Sequence, residues 1–274
     1  MNTVRVMSKN AAYQKFEVLR TNRNKRYRYG EFLVEGVRNI NQAIRNGWQF
    51  TSLLYSPETP LSRWAQEMLD TVSCDTHYQL SSNLMQELSG KTDTSELLAI
   101  LRMRPDDPAL LHDSPCPLYI LFDRPSNHGN LGSIIRSADA LGADGLILTG
   151  HGVDLYQPEV ITASMGSFFN LPAIRMADND TVFDWIARQR DLHPGFQVIG
   201  TTAHKQLNIT QVDFRLPTLL MIGNETEGLC RAFKEGCDLL ATIPMADTSS
   251  ASSFNVACAA TVMMYEVCRQ RAQE

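Results

Sequence analysis

The second half of the chain alternates short apolar runs with amphipathic segments, and this alternation strongly constrains the fold. The apolar runs are "LYILFD", "GLILTG", "PAIRMA", "FQVIGTT", "PTLLMIG" and "DLLATIPM", and helix-like segments separate most of them. Strands that are apolar along nearly their whole length are typical of parallel sheets covered by helices on both faces. We therefore predict an α/β fold with a parallel sheet from residue 117 onward.

The first hundred residues predict a smaller α/β domain of their own. "FLVEGVRNINQAIRNG" passes from a strand into a helix with Val37, Ile40, Ala43 and Ile44 on one stripe, "FTSLLYS" is a strand, and "PLSRWAQEMLDTV" is a helix. The prolines and acids of "RMRPDDPALLHDSPCP" interrupt this periodicity and indicate a linker. The expected domains are residues 1–108 and 116–274.

Composition narrows the class of protein. The net charge is -5, and no apolar run approaches the roughly 20 residues that span a bilayer. The start "MNTVRVMSKN" lacks the apolar block of a secretion signal. Six cysteines are scattered without CxxC spacing, so we expect neither a zinc site nor a disulfide framework. The expectation is a cytoplasmic protein with no metal and no membrane partner.

Positive charge is concentrated near the amino terminus. Residues 1–50 hold ten Lys and Arg side chains against three Glu. The stretch "RTNRNKRYRYG" interleaves cations with tyrosines, a mixture that binds phosphates and offers rings on which unpaired bases stack. We predict RNA contacts by Arg23, Lys25, Arg26 and Arg28. The alternative is a solvated basic helix face.

Polar residues follow several of the predicted strands, where parallel sheets hold their ligands. They are Asn130, Thr201, the loop "GNETEG" at 223–228, and "ADTSSASSFN". No GxGxxG fingerprint and no Walker lysine is present, which argues against a dinucleotide or nucleoside triphosphate. The acids of "GNETEG" favour a cationic or neutral ligand, and the sulfonium and ammonium of S-adenosylmethionine satisfy that condition.

Three motifs in order resemble one known family. "NHGNLGSIIRSADALGADGLILTG", "TLLMIGNETEGL" and "IPMADTSSASSFNVACAATVMMYE" are similar to the motifs of the SpoU/TrmH family of RNA ribose 2'-O-methyltransferases, in the SPOUT superfamily. "NKRYRYGEFLVEGVRNINQAI" resembles the substrate-binding domain that many members carry. The resemblance implies S-adenosylmethionine as cofactor, RNA as substrate, a deep trefoil knot and a homodimer.

The resemblance also implies a set of site residues. The catalytic set is Arg136, Asn130, Glu225, Ser253 and Asn255, and the cofactor set is Thr201, Gly223, Ile243 and Phe254. Gly223 is expected where main chain approaches the adenosine, and Ile243 and Phe254 contribute backbone. Ala257 stands where relatives have a serine, which removes a hydroxyl.

Most of these residues also have a structural interpretation. Asn130 is equally suited to cap a helix before Leu131, and Arg136 to pair with Asp139. Glu225 is suited to accept amides at a helix N-terminus. Capping by serines of the third motif, and ordinary core packing for Ile243 and Phe254, are the corresponding alternatives.

The implied role of Arg136 is to orient the ribose through a phosphate, since an arginine is always protonated and makes a poor base. Ribosomal RNA is the favoured substrate, because the basic amino-terminal domain resembles those of members that modify it. A transfer-RNA enzyme, a non-catalytic RNA-binding factor and a nucleotide-binding oxidoreductase are the remaining hypotheses.

Overall fold

Two compact units make up the chain in the computed structural model, which describes residues 2–89, 93–204 and 206–272. The first unit contains Met1–Arg104 and Asp154–Asn170, and the second contains Pro105–Val153 and Leu171–Glu274. The predicted boundaries place residues 154–170 in the second domain, whereas in the structure this segment belongs to the first unit.

The first unit is built on a five-stranded mixed sheet of order β1-β4-β3-β5-β2. Its strands are β1 (Asn2–Val6), β2 (Glu31–Glu35), β3 (Phe50–Tyr55), β4 (Thr76–Leu80) and β5 (Leu97–Arg102). Its helices from the first hundred residues are α1 (Ala11–Thr21), α2 (Arg23–Tyr29), α3 (Val37–Arg45), α4 (Arg63–Thr71) and α5 (Ser82–Ser89). The side chain of Asn10 caps α1, and Tyr13, Phe16 and Leu19 bury one face of that helix in the core.

The second unit carries α6 (His128–Ala140), α8 (Asn179–Leu192), α9 (Arg231–Gly236) and α10 (Val256–Arg271). Its strands are β6 (Leu118–Asp123), β7 (Gly145–Thr149), β8 (Ala173–Met176), β9 (Gln197–Thr201), β10 (Leu207–Asn208), β11 (Thr218–Ile222) and β12 (Leu239–Thr242). Between β7 and β8 the chain enters the first unit and forms α7 (Pro158–Ala163) and a 3-10 turn at Ser167–Phe169.

The sheet of the second unit has the order β10-β12-β9-β11-β6-β7-β8, and every pairing between these strands is parallel. The chain runs from β6 outward through β7 and β8, and then continues on the other side of β6. The carboxyl ends of β6 and β11 are therefore neighbours at the point where strand order reverses, the usual ligand position in such sheets.

Helices α6 and α10 pack together in the second unit, and the Ser137 and Thr261 hydroxyls are hydrogen-bonded at 2.7 Å. Ala260, Met263 and Val267 lie on the buried face of α10, as its apolar spacing predicts. The guanidinium of Arg271 donates to the carbonyls of Cys116, Phe214 and Leu216, which fixes the end of α10.

The predicted α/β architecture with a parallel sheet is confirmed, with two local differences. The stretch "PEVITASMGSFF" at 158–169, which the alternation predicts as one helix, is interrupted because Met165 and Gly166 adopt positive φ angles of 52° and 96°. Val37 and Ile44 are exposed on α3, although the stripe predicted them inside. Within the described ranges, no helix is long and apolar enough to cross a membrane.

Candidate cofactor cleft and polar network

A cleft of about 320 Å³ opens at the carboxyl ends of β9, β11 and β12. Thr201, Gly223, Ile243 and Phe254, the four expected cofactor residues, all line it. Glu225 and Ser253 of the expected catalytic set line it as well. The volume is in the range of small-molecule sites.

The loop after β11 forms a tight reversal along one wall of this cleft. Asn224 and Gly228 exchange both backbone hydrogen bonds, at 3.1 and 3.0 Å. The Asn224 side chain accepts from the amides of Thr226 and Glu227, and Gly228 takes a positive φ of 68°. "GNETEG" is thus a closed turn with a defined shape.

Gly223 lacks a side chain for a reason that the sequence did not reveal. A Cβ at this position would lie 2.3 Å from the carbonyl carbon of Gly228 and 2.3 Å from the amide nitrogen of Leu229. The returning strand of the loop itself therefore excludes a side chain. The expected closeness of Gly223 to an adenosine stays a prediction, but it is not needed to explain the glycine.

A polar network connects the three motifs. One carboxylate oxygen of Glu225 accepts from the Ser126 amide and hydroxyl at 3.1 and 2.6 Å, and the other accepts from the Asn127 amide and from Asn130 Nδ2 at 3.2 and 3.3 Å. Asn130 Oδ1 in turn accepts from Asn255 Nδ2 at 3.2 Å. Asn130, Glu225 and Asn255 are therefore brought together.

This network holds Glu225 in its ionised form. Burial opposes the charge, but hydrogen bonds from Ser126 and Asn130 outweigh it, and the pKa of Glu225 is lowered from its ordinary value. The donors include backbone amides at the start of α6, so the interpretation of Glu225 as an acid at a helix N-terminus holds in part. The helix is α6, and not the one that follows Leu229.

The helix caps differ from the alternatives that the sequence left open. Asn127, and not Asn130, caps α6 by accepting the Asn130 amide at 2.9 Å. Asn255 itself caps α10, since its Oδ1 accepts the amides of Ala257 and Cys258. The side chain of Asn130 therefore does not cap a helix, and it contacts both Glu225 and Asn255.

Two charged neighbours of the loop are not among the site residues that the sequence predicts. Asp123, at the end of β6, is buried and accepts from the Cys230 amide at 2.8 Å and the Thr149 hydroxyl at 3.1 Å. Arg124 pairs with Asp123 and with Glu227. The adjacent acid and base at the end of a predicted strand are the sequence signal that could have identified them.

Arg136 lies on the exposed side of α6. Within the ranges that the structure describes, it has no hydrogen bond or ion pair and does not line the cleft. The geometry therefore leaves its guanidinium accessible to solvent, and its predicted catalytic role stays a prediction.

The basic stretch of α2 divides into exposed and buried cations. Arg28 is exposed, Lys25 is partly exposed, and Arg23 lies 5.6 Å from the ring centroid of the exposed Tyr27. Arg26, in contrast, is completely buried. A guanidinium buried in this way is not presented to RNA, so the structure lends no support to the RNA contact expected of Arg26, which stays a prediction.

Arg26 is a structural residue of the first unit. It pairs with Asp154 at 2.6 Å, donates to the carbonyls of Leu19 and Arg20 at 2.9 Å each, and contacts the Gln157 side chain. Composition cannot distinguish it from its neighbours, because helical phase decides which cation of the run faces inward.

The charge argument for a cationic ligand is weaker in the structure than in the sequence. Glu225 is engaged by the network of Ser126 and Asn130, and Glu227 is paired with Arg124. Lys234 and His204 also line the cleft. The size and the mixed polar and apolar lining of the cleft support a nucleoside-like ligand better than its charge does.

Comparisons with known proteins agree over most of the chain. The model of the SpoU rRNA Methylase family matches residues 117–265, and that of the SpoU L30e-like domain matches residues 10–99. A 23S rRNA (uridine(2479)-2'-O)-methyltransferase of Streptomyces viridochromogenes is 45% identical over 268 residues, which cover 97% of this chain and 92% of that protein.

Solved structures give the same result. The SpoU methyltransferase AviRb from Streptomyces viridochromogenes, in complex with the cofactor AdoMet, superposes with a TM-score of 0.91 at 45% identity, over 96% of this chain and 98% of that one. An AdoMet-bound rRNA methyltransferase from Sinorhizobium meliloti superposes with a TM-score of 0.83 at 28% identity, over 97% and 98% of the two chains.

Proposed function

Because this chain belongs to the SpoU rRNA methylase family, we propose that it methylates a ribose 2'-hydroxyl of ribosomal RNA, with S-adenosylmethionine as cofactor. The observation that carries the proposal is the network from Ser126 through Glu225 and Asn130 to Asn255, which adjoins a cleft of about 320 Å³. This arrangement places three separate motifs of the sequence at one edge of the sheet.

The cleft residues fit the cofactor. Main chain at Thr201, Gly223, Ile243 and Phe254 would meet the adenosine, and Met263 and Leu229 give the cleft apolar walls. The cofactor supplies the methyl group as an electrophile. The protein contributes mostly position, since holding two reactants in line removes much of the barrier to a transfer of this kind.

The catalytic roles follow from accessibility and charge. Arg136 would hold a backbone phosphate next to the reacting ribose with its forked guanidinium, and would stabilise the developing alkoxide. Glu225 and Asn130 would fix the loop and the start of α6 relative to each other, and Ser253 would contact substrate at the mouth of the cleft. Asn255 holds Asn130 from α10.

We assign RNA binding to the cations of α2 that are exposed or partly exposed. Arg23, Lys25 and Arg28, together with Tyr27 and Tyr29, offer charge for phosphates and rings for bases. Ribosomal RNA is favoured because a relative that is 45% identical over 97% of this chain is named for 23S rRNA. Transfer RNA is the alternative substrate.

A homodimer, a trefoil knot and a cytoplasmic location complete the proposal. Val262 and Tyr265 are exposed on one face of α10, with 42% and 58% of their surfaces accessible, and this face suits a second copy of the chain. Sedimentation of the parent and of Tyr265→Glu tests the dimer. A monomeric parent would contradict it.

The deciding experiment combines binding with methyl transfer. The protein should bind S-adenosylhomocysteine by calorimetry, and should transfer labelled methyl groups to ribosomal RNA from cells that lack the gene. Mapping 2'-O-methyl sites with and without the gene then gives the nucleotide. Labelling of transfer RNA alone would favour the alternative substrate, and binding of RNA without transfer would indicate a non-catalytic factor.

A further inference from the structure

Arg124 has a backbone conformation that its residue type disfavours. It follows β6 directly and has a φ of 51°. This is the left-handed region, which glycine adopts readily and in which a residue with a Cβ has a strained backbone. Its backbone amide donates to the Thr149 carbonyl at 3.1 Å, so the strained residue is still tied to the neighbouring strand. Such strain persists only where surrounding contacts outweigh it.

Those contacts reach both sides of the loop at 224–228. The backbone carbonyl of Arg124 accepts from Asn224 Nδ2 at 2.8 Å, at the start of the loop. Its Nη2 donates to the Gly228 carbonyl at 3.0 Å, and its Nη1 contacts the Glu227 carboxylate, at the end of the loop. One residue thus fastens both arms of the turn.

The guanidinium of Arg124 is itself fixed by the carboxylate of Asp123. Nε and Nη2 both donate to Asp123, at 3.2 and 3.1 Å, and Asp123 is 2% exposed. The same carboxylate accepts the Cys230 amide just beyond the loop. The aliphatic part of Arg124 lies against Gly150, where a Cβ would be 2.5 Å from Arg124 Cγ. The guanidinium therefore has little freedom to move.

We propose that Arg124 is a positioning residue for the cofactor, which sets the shape of the cleft wall formed by Asn224, Glu227 and Gly228. Among the described residues, these three line the cleft and Arg124 does not, so Arg124 would act on the cofactor through them. The inference rests on the proposed function, because it takes this cleft as the cofactor site. It predicts that Arg124 governs affinity for the cofactor and leaves affinity for RNA unchanged.

The test uses Arg124→Gly and Arg124→Lys in the full chain, titrated with S-adenosylhomocysteine by calorimetry. The glycine variant relieves the φ strain, but it removes the fork and leaves the buried Asp123 without its arginine partner. It should therefore melt below the parent temperature and bind S-adenosylhomocysteine about tenfold more weakly or worse. The lysine variant keeps the charge near Glu227 without the fork and should be intermediate. In steady-state assays the KM for S-adenosylmethionine should rise while the KM for RNA stays at the parent value.

Arg190→Ala is the matched control, since it removes an exposed arginine ion pair with Asp238 from the same unit. It should bind like the parent. The proposal is overturned if Arg124→Gly binds within about twofold of the parent, or if Arg190→Ala loses as much. If the glycine variant unfolds, the lysine variant decides by the same criterion. A parent that does not bind S-adenosylhomocysteine would instead refute the proposed function, and this inference with it.

Discussion

Asn130 and Glu225 are joined by a hydrogen bond of 3.3 Å across 95 residues of sequence. The bond connects the first turn of α6 to the loop after β11, and Asn255 extends it to the start of α10. Three helix and strand termini that could move independently are thereby held in one arrangement. A site that depends on position needs this kind of support.

Glu225→Gln should lower both stability and turnover. The two carboxylate oxygens accept four hydrogen bonds, and an amide would turn its own NH₂ group toward donors on one side. The expected loss of unfolding free energy is about 1–3 kcal/mol by urea denaturation. Glu235→Gln, which breaks an exposed pair with Arg231, should change stability by less than about 1 kcal/mol. Equal effects of the two variants would contradict this role.

The same contact should give a recognisable pH dependence. Because the folded-state pKa of Glu225 is lowered from 4.5, its stabilising effect is complete above that pH and is lost as the pH falls through the lower folded value. Hydrogen bonds also lower the pKa of Asp178 and Asp213, so the parent alone does not isolate Glu225. The difference in melting temperature between the parent and Glu225→Gln should therefore be constant from pH 7 to near 5 and shrink in acid. A difference that stays constant into acid would exclude the titration of Glu225.

Arg136→Ala should abolish methyl transfer without weakening cofactor binding. The exposed guanidinium has no partner to lose within the described part of the chain, so stability should change by less than about 0.5 kcal/mol. Single-turnover transfer should fall by about 100-fold or more, with unchanged calorimetry for S-adenosylhomocysteine. Arg188→Ala, an exposed arginine on α8, should behave like the parent. Near-parent turnover of Arg136→Ala would remove it from the catalytic set.

Neutralising Arg23, Lys25 and Arg28 together with glutamine should flatten the salt dependence of RNA binding. Each lost phosphate contact reduces the slope of log K against log salt by about 1, so the triple variant should lose up to about 3. Arg63→Gln, an exposed cation on the same unit, is the control and should keep the parent slope. An unchanged slope in the triple variant would mean that α2 is only a solvated basic helix face.

The sheet could be predicted from the sequence because fully apolar runs separated by helical periods have few other solutions. The residues of the network at Glu225 could be predicted from the sequence, but their contacts could not. Spacing along the chain does not tell which side chains of three motifs meet. Arg124 escaped notice because a positive φ at a residue other than glycine leaves no trace in the sequence. Gly223 was explained by a ligand when its own loop suffices.

The return of residues 154–170 to the first unit was also invisible in the sequence. Phe168 and Phe169 pack with Trp48, whose Nε1 donates to the Phe169 carbonyl at 2.9 Å. Removing residues 1–110 would therefore strip the partners from an aromatic cluster and leave Asp154 without Arg26. We therefore expect the remaining domain to be less stable after this truncation than it is in the full chain.

Arg26→Met should lower the free energy of unfolding of the first unit, because Arg26 is a buried structural residue. Removing one partner of a buried ion pair leaves Asp154 buried and uncompensated, at a cost of about 3–5 kcal/mol. The double variant Arg26→Met, Asp154→Leu replaces both charges with apolar groups and should recover much of that loss. Denaturation of the parent, of Arg26→Met, of Asp154→Leu and of the double variant gives the coupling energy. Arg28→Met, an exposed neighbour, should leave stability within about 0.5 kcal/mol of the parent. If Arg26→Met were as stable as the parent and merely flattened the salt dependence of RNA binding, Arg26 would have to be exposed in solution, and its original assignment to the RNA-binding set would be right.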